Sequence, residues 1–126
     1  MEDSVAHGAH ETAPTISTHV LDTGLGKPAA GIAVTLYRLV DDGRPLRLTQ
    51  ALTDLDGRVR DLLERPLVAG GYRLEFDLAP AGDTSEGADD GFFRRLSVDF
   101  AVSDTARSYH VPLLLAPFSL STYRGS

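Results

Sequence analysis

Two stretches of this chain alternate strictly in polarity. Tyr72, Leu74, Phe76 and Leu78 are spaced by Arg73, Glu75 and Asp77, and Leu96, Val98, Phe100 and Val102 by Ser97, Asp99 and Ala101. A period of two belongs to strands with one face buried and one face wet. The rest of the chain from Ile16 onward fits the same scheme of strands and turns. Ser17 to Asp22 reads as a short strand, closed by a Gly- and Pro-bearing turn, Thr23-Gly24-Leu25-Gly26-Lys27-Pro28. Ile32 to Val40 is rich in β-branched and large apolar residues, and Asp41-Asp42-Gly43-Arg44-Pro45 predicts a hairpin after it. The third strand is expected to set Leu46, Leu48, Gln50 and Leu52 on one face, with Arg47, Thr49, Ala51 and Thr53 on the other. Asp54-Leu55-Asp56-Gly57 is a turn that delivers Arg58 to a short edge segment. Tyr109 to Leu115 is nearly all apolar, which predicts burial on both faces, by the core and by a partner chain. Phe118 to Tyr123 is the last strand. About eight short strands with short connections predict an all-β antiparallel sandwich.

One stretch breaks the rhythm. Residues 79–91 hold Pro80, Gly82, Gly87 and Gly91 among acidic residues. A helix there would carry a repeated penalty for proline and glycine. The expectation is a loop with at most a short helix between the fifth and sixth strands.

With 126 residues the chain is long enough for a single domain with a core that needs no staples. It has no cysteine, which excludes disulfides and thiolate metal sites. Its net charge of −6 argues against general nucleic-acid binding, which needs a basic face. An anionic substrate would gain nothing from the global field and would depend on local cations. No apolar run approaches the roughly 20 residues that span a bilayer. Residues 1–14 are polar and carry neither a secretory pattern nor any periodicity. The expectation is a cytoplasmic protein with a disordered tail over 1–14 and one domain over 15–126.

Four histidines are the first candidates for chemistry. His7 and His10 fall in the tail. His19 and His110 fall in strands, where a lone histidine is more often structural. An imidazole can nevertheless act as a general base near neutral pH. The two lack the further ligands that zinc requires, and neither a phosphate-cradling loop nor a GxSxG elbow occurs, so no metal or cofactor is expected. Arg58, taken alone, reads as a solvated arginine. Ser126, taken alone, reads as a frayed end. Yet Tyr123-Arg124-Gly125-Ser126 follows the last strand directly, as an end with a fixed place would.

Three segments, taken in order, resemble the 5-hydroxyisourate hydrolases of the transthyretin-related family. They are Ser17-Thr18-His19-Val20-Leu21-Asp22-Thr23 with Gly26-Lys27-Pro28-Ala29-Ala30-Gly31, then Thr53-Asp54-Leu55-Asp56-Gly57-Arg58-Val59, then Tyr109-His110-Val111-Pro112-Leu113-Leu114-Leu115 closed by Ser121-Thr122-Tyr123-Arg124-Gly125-Ser126. The likeness runs from about Ile16 to Ser126. It implies a transthyretin-like sandwich of two four-stranded antiparallel sheets. It also implies a homotetramer, a dimer of dimers, with sites in the channel between dimers. By motif the catalytic residues are His19, Arg58, His110 and Ser126, with Arg58, Tyr123, Arg124 and Ser126 holding substrate. The chain departs from the family at Phe92-Phe93-Arg94, where the usual step is Phe-Phe-Pro after a short helix.

The implied reaction is hydrolysis of 5-hydroxyisourate in urate catabolism. A histidine would take a proton from water, and Arg58 would stabilise developing negative charge. A Ser-His-Asp route is not specified by the sequence. The alternative is a transthyretin-type small-molecule carrier without catalysis. A carrier has no need of the His19, Arg58 and His110 set, and the transthyretins lack the Tyr-Arg-Gly-Ser ending.

Overall fold

The computed structural model describes residues 13–78 and 92–125. Most of the expected tail, the 79–91 stretch with its helix question, and Ser126 lie outside the described residues. The described residues form nine strands: β1 (Ile16–Asp22), β2 (Lys27–Pro28), β3 (Ala33–Leu39), β4 (Pro45–Leu52), β5 (Arg58–Val59), β6 (Gly70–Asp77), β7 (Arg95–Val102), β8 (Tyr109–Ala116) and β9 (Ser119–Thr122). There is no helix among the described residues.

The strands form two sheets. One runs β4-β3-β6-β7 and is antiparallel throughout. The other runs β2-β1-β8-β9, with β5 also paired to β1. The transthyretin-like sandwich is therefore present, with two differences from the expected pair of four-stranded antiparallel sheets. The second sheet has a fifth, two-residue strand, and β1 runs parallel to β8. A parallel pair needs a long crossover. Here β1 and β8 stand at opposite ends of the sequence, and the whole other sheet lies between them.

Alternation decides what is inside. Tyr72, Leu74 and Phe76 of β6 are fully buried, as are Ile16 and Val20 of β1, Val34 and Leu36 of β3, and Leu113 of β8. The polar partners of this pattern face water: Arg73 forms a two-point ion pair with Asp99 directly across on β7, at 2.7 and 3.1 Å. Two inward polar groups are satisfied by the backbone, as burial requires. The Tyr72 hydroxyl donates to the Val68 carbonyl at 2.7 Å, and the Thr18 hydroxyl donates to the Val111 carbonyl. In β8 the expected two-sided burial is partial: Val111, Pro112 and Leu113 are buried, whereas His110, Leu114 and Leu115 are half-buried.

The third strand corrects the sequence reading. The β3–β4 register shifts between Leu36 and Tyr37, so that Leu48 is an extra residue on β4. Such a bulge moves the following residues to the opposite face. Leu48 and Ala51 both pack on the core, while Leu52 is 65% exposed and Gln50 turns outward to donate to the Thr35 hydroxyl.

Replacing Phe76 with alanine removes a fully buried aromatic side chain of β6. Urea unfolding at fixed protein concentration is expected to show a loss of about 3–5 kcal/mol. A loss below about 1 kcal/mol would mean that the site collapses around the gap.

Candidate active site

The outer face of the second sheet carries the candidate residues. On β1, Ile16, Thr18 and Val20 point into the core, so Ser17, His19 and Leu21 point out. On β8, Tyr109, Val111 and Leu113 point in, so His110 and Pro112 take the outer face. The parallel register pairs Ser17 with His110 and His19 with Pro112. His110 is thus two residues, roughly 6–7 Å, along β8 from the position opposite His19.

Arg58 arrives from the other side. β5 pairs with β1 and sets Arg58 directly opposite His19. The turn before it is held by one carboxylate: Asp54 accepts from the Asp56 amide at 2.8 Å and from the Arg58 amide at 2.9 Å. The Arg58 amide is the main reason the Asp54 carboxyl titrates below its ordinary range. Gly57 completes the turn with φ 77, and its carbonyl accepts from the Val20 amide at 2.7 Å. A Cβ on Gly57 would stand 2.4 Å from the Val20 carbonyl oxygen. The close approach that docks this turn onto β1 therefore needs glycine.

His19 and Arg58 line one open cavity of about 450 Å³, together with Leu21, Pro28, Asp56 and Arg60. His110 lines a second cavity of about 250 Å³, between β7 and the end of β9, with Tyr123 and Arg124. Of the set expected from the sequence, His19 and Arg58 thus line one cavity of the single chain and His110, Tyr123 and Arg124 another. Arg124 also lies over the Tyr109 ring at 5.1 Å. Tyr123 is 54% exposed. Among the described residues, no three His, Asp or Glu side chains converge in a way that could hold a metal ion.

The two cavities are electrically connected. Burial pushes the His110 imidazole below its ordinary value of 6.5, and the charges of His19 and Arg58 push it the same way. A hydrogen bond to the Ser17 backbone opposes them. His110 is therefore uncharged at neutral pH, with a free proton-accepting form. Because its folded value is depressed, that form persists below pH 6.5 and is lost as pH falls through the lowered value.

Residues 16–125 match the model of the HIUase/Transthyretin family. The chain belongs to that family. One relative, the 5-hydroxyisourate hydrolase of Deinococcus radiodurans, is 46% identical over 119 residues, covering 90% of this chain and 97% of the relative. The solved Klebsiella pneumoniae 5-hydroxyisourate hydrolase is 34% identical with a TM-score of 0.73, covering 90% of this chain and 99% of that one. The transthyretin of Sparus aurata superposes with a TM-score of 0.75 at 28% identity, covering 90% of this chain and 97% of that one. Backbone likeness thus spans both the enzyme and the transthyretin branch of the family.

Sequence reasoning passed over Ser17 and Asp54. Asp54 was legible, since an Asp two residues before a turn amide is a familiar cap. The contact of Ser17 with His110 depends on the parallel register, which nothing local announces.

Arg58→Gln removes a cation that holds the His110 value down. In an NMR titration the His110 midpoint is expected to rise toward 6.5. An unmoved midpoint would show that Arg58 and His110 do not sense each other.

Proposed function

We propose that this chain hydrolyses 5-hydroxyisourate to 2-oxo-4-hydroxy-4-carboxy-5-ureidoimidazoline, a step of urate catabolism. The observation that carries the reading is the outer sheet face, where Arg58 stands opposite His19 and an uncharged His110 lies within electrostatic reach of both. The sequence likeness falls on the hydrolase branch, at 46% identity to the Deinococcus radiodurans enzyme.

The chemistry fits these groups. Water adds to an acyl carbon of the six-membered ring, a carbon–oxygen bond forms, and the ring carbon–nitrogen bond breaks. One imidazole takes the proton from water, and that proton goes to the departing nitrogen. His110 suits the task because it is neutral where the reaction runs. The guanidinium of Arg58, a fixed cation with several donors, stabilises the tetrahedral oxyanion. His19, paired with Arg58 across the strands, orients the substrate or shares the proton. Tyr123 and Arg124 support the substrate from the His110 side. Ser126 completes the site by positioning water or substrate, as the family motif implies. No metal or cofactor enters the reaction as proposed.

The assembly belongs to the same proposal. β7 and β9 end their sheets unpaired among the described residues, and Phe118 at the β8–β9 turn is 75% exposed. Free edges and exposed aromatics favour pairing with another chain. A homotetramer, arranged as a dimer of dimers across the outer sheet face, would enclose two cavities that are open in the single chain. The cytoplasmic setting read from the sequence, and a folded domain over 15–126, complete the proposal.

Urate oxidised in situ supplies 5-hydroxyisourate, whose decay is followed by absorbance. Wild-type protein is expected to accelerate it, and His110→Ala to lower the catalysed rate on the order of 10²–10⁴-fold. Sedimentation is expected to give the mass of four chains. Decay at the background rate with a folded wild-type tetramer would overturn the hydrolase reading in favour of the carrier.

A further inference from the structure

We infer that Ser17 and Gly125 are positioning residues that clamp the His110 ring from two sides and fix which of its nitrogens is available for proton transfer. The inference rests on the hydrolase reading for its kinetic consequence, though not for its geometry.

Ser17 is the cross-strand partner of His110 in the parallel β1–β8 pair, so both side chains share the outer face. The Ser17 Oγ lies 2.8 Å from His110 Nδ1. A serine hydroxyl can accept from a ring N–H. With Nδ1 donating to the Ser17 Oγ, Nε2 is left as the nitrogen with a lone pair.

Gly125 holds the other side. It forms an isolated bridge with His110, and its amide donates to the His110 carbonyl at 2.8 Å. A Cβ on Gly125 would stand 2.7 Å from His110 Cδ2, 3.2 Å from Cγ and 3.3 Å from Cβ. The first of these distances is closer than carbon atoms tolerate. Gly125 is therefore packed against the ring, with no space for any side chain. One contact pins Nδ1 and the other blocks swinging of the Cδ2 edge. Together they remove the rotational freedom that a half-buried histidine would otherwise keep.

The surroundings matter to the outcome. His19 from β1 and Arg58 from β5 act electrostatically on the ring, and Tyr123 and Arg124 share its cavity. None of these four is a hydrogen-bond partner of His110, so among the described residues the tautomer depends on the Ser17 hydroxyl. Ser17 touches no reacting atom in this scheme and acts through His110.

The test compares wild type, Ser17→Ala, Ser17→Thr and Gly125→Ala. Each is assayed for 5-hydroxyisourate decay, and the His110 ring nitrogens are observed by ¹⁵N NMR. In wild type, Nδ1 is expected to carry the proton. Ser17→Ala is expected to mix the tautomers and to lower kcat on the order of tenfold, the scale seen for groups that orient a histidine, with KM unchanged. Ser17→Thr keeps the hydroxyl on a strand position that accepts β-branching, and is expected to restore both readouts. Gly125→Ala is expected to lower kcat with the tautomer retained and the ring displaced. Wild-type kcat and an unchanged tautomer in Ser17→Ala would overturn the inference. Wild-type protein that fails to accelerate decay would instead sink the hydrolase reading, and the ¹⁵N readout would still decide the clamp.

Discussion

The parallel pairing of β1 with β8 is the constraint on which the candidate site depends. It is the one parallel pair among the described residues, and it joins the first of their strands to the penultimate one. Its register decides which residue stands beside His110. A slip of one residue along either strand would turn that strand's candidate histidine into the core. The buried row Ile16, Thr18, Val20 against Tyr109, Val111, Leu113 forbids that slip, because it would expose apolar side chains and bury charge. The core thus specifies the site from behind.

A second consequence of the sheet's layout is that the groups arrive from four separate parts of the chain. Ser17 and His19 come on β1, Arg58 on a two-residue strand after a Gly57 turn, His110 on β8, and Gly125 on the closing segment. None of these segments has a stable geometry alone. Each is held by hydrogen bonds to β1 or β8, so the arrangement exists only once the sheet has formed. The electrostatic order follows from it: burial, with the charges of His19 and of the Arg58 opposite it, pushes the His110 imidazole toward its neutral form.

Much of this was legible in the sequence. Period-two alternation in Tyr72–Leu78 and Leu96–Val102 marked both strands, because each has one wet face. The Asp-Leu-Asp-Gly run marked the turn that delivers Arg58, because glycine and a capping carboxylate are what that backbone needs. The face assignment of β4 was not legible: a bulge at Leu48 leaves no local signature, and the alternation Leu46, Leu48, Gln50, Leu52 is misleading across it. The strand count came close, but a two-residue strand such as β5 has no period to read. The residues for chemistry were nameable through motif likeness, whereas their partners Ser17 and Gly125 were not. Their roles arise from register and close packing, which are properties of pairs far apart in sequence.

The closing segment grips β8 on both of its faces. Arg124 lies over the ring of Tyr109, a buried residue, and Gly125 packs against the imidazole of the next residue, His110. Two neighbouring residues of the tail are thus bound to two neighbouring residues of β8, one turned toward the core and one toward the site. The closing segment works as a latch: releasing it would loosen a core aromatic and a candidate catalytic ring together.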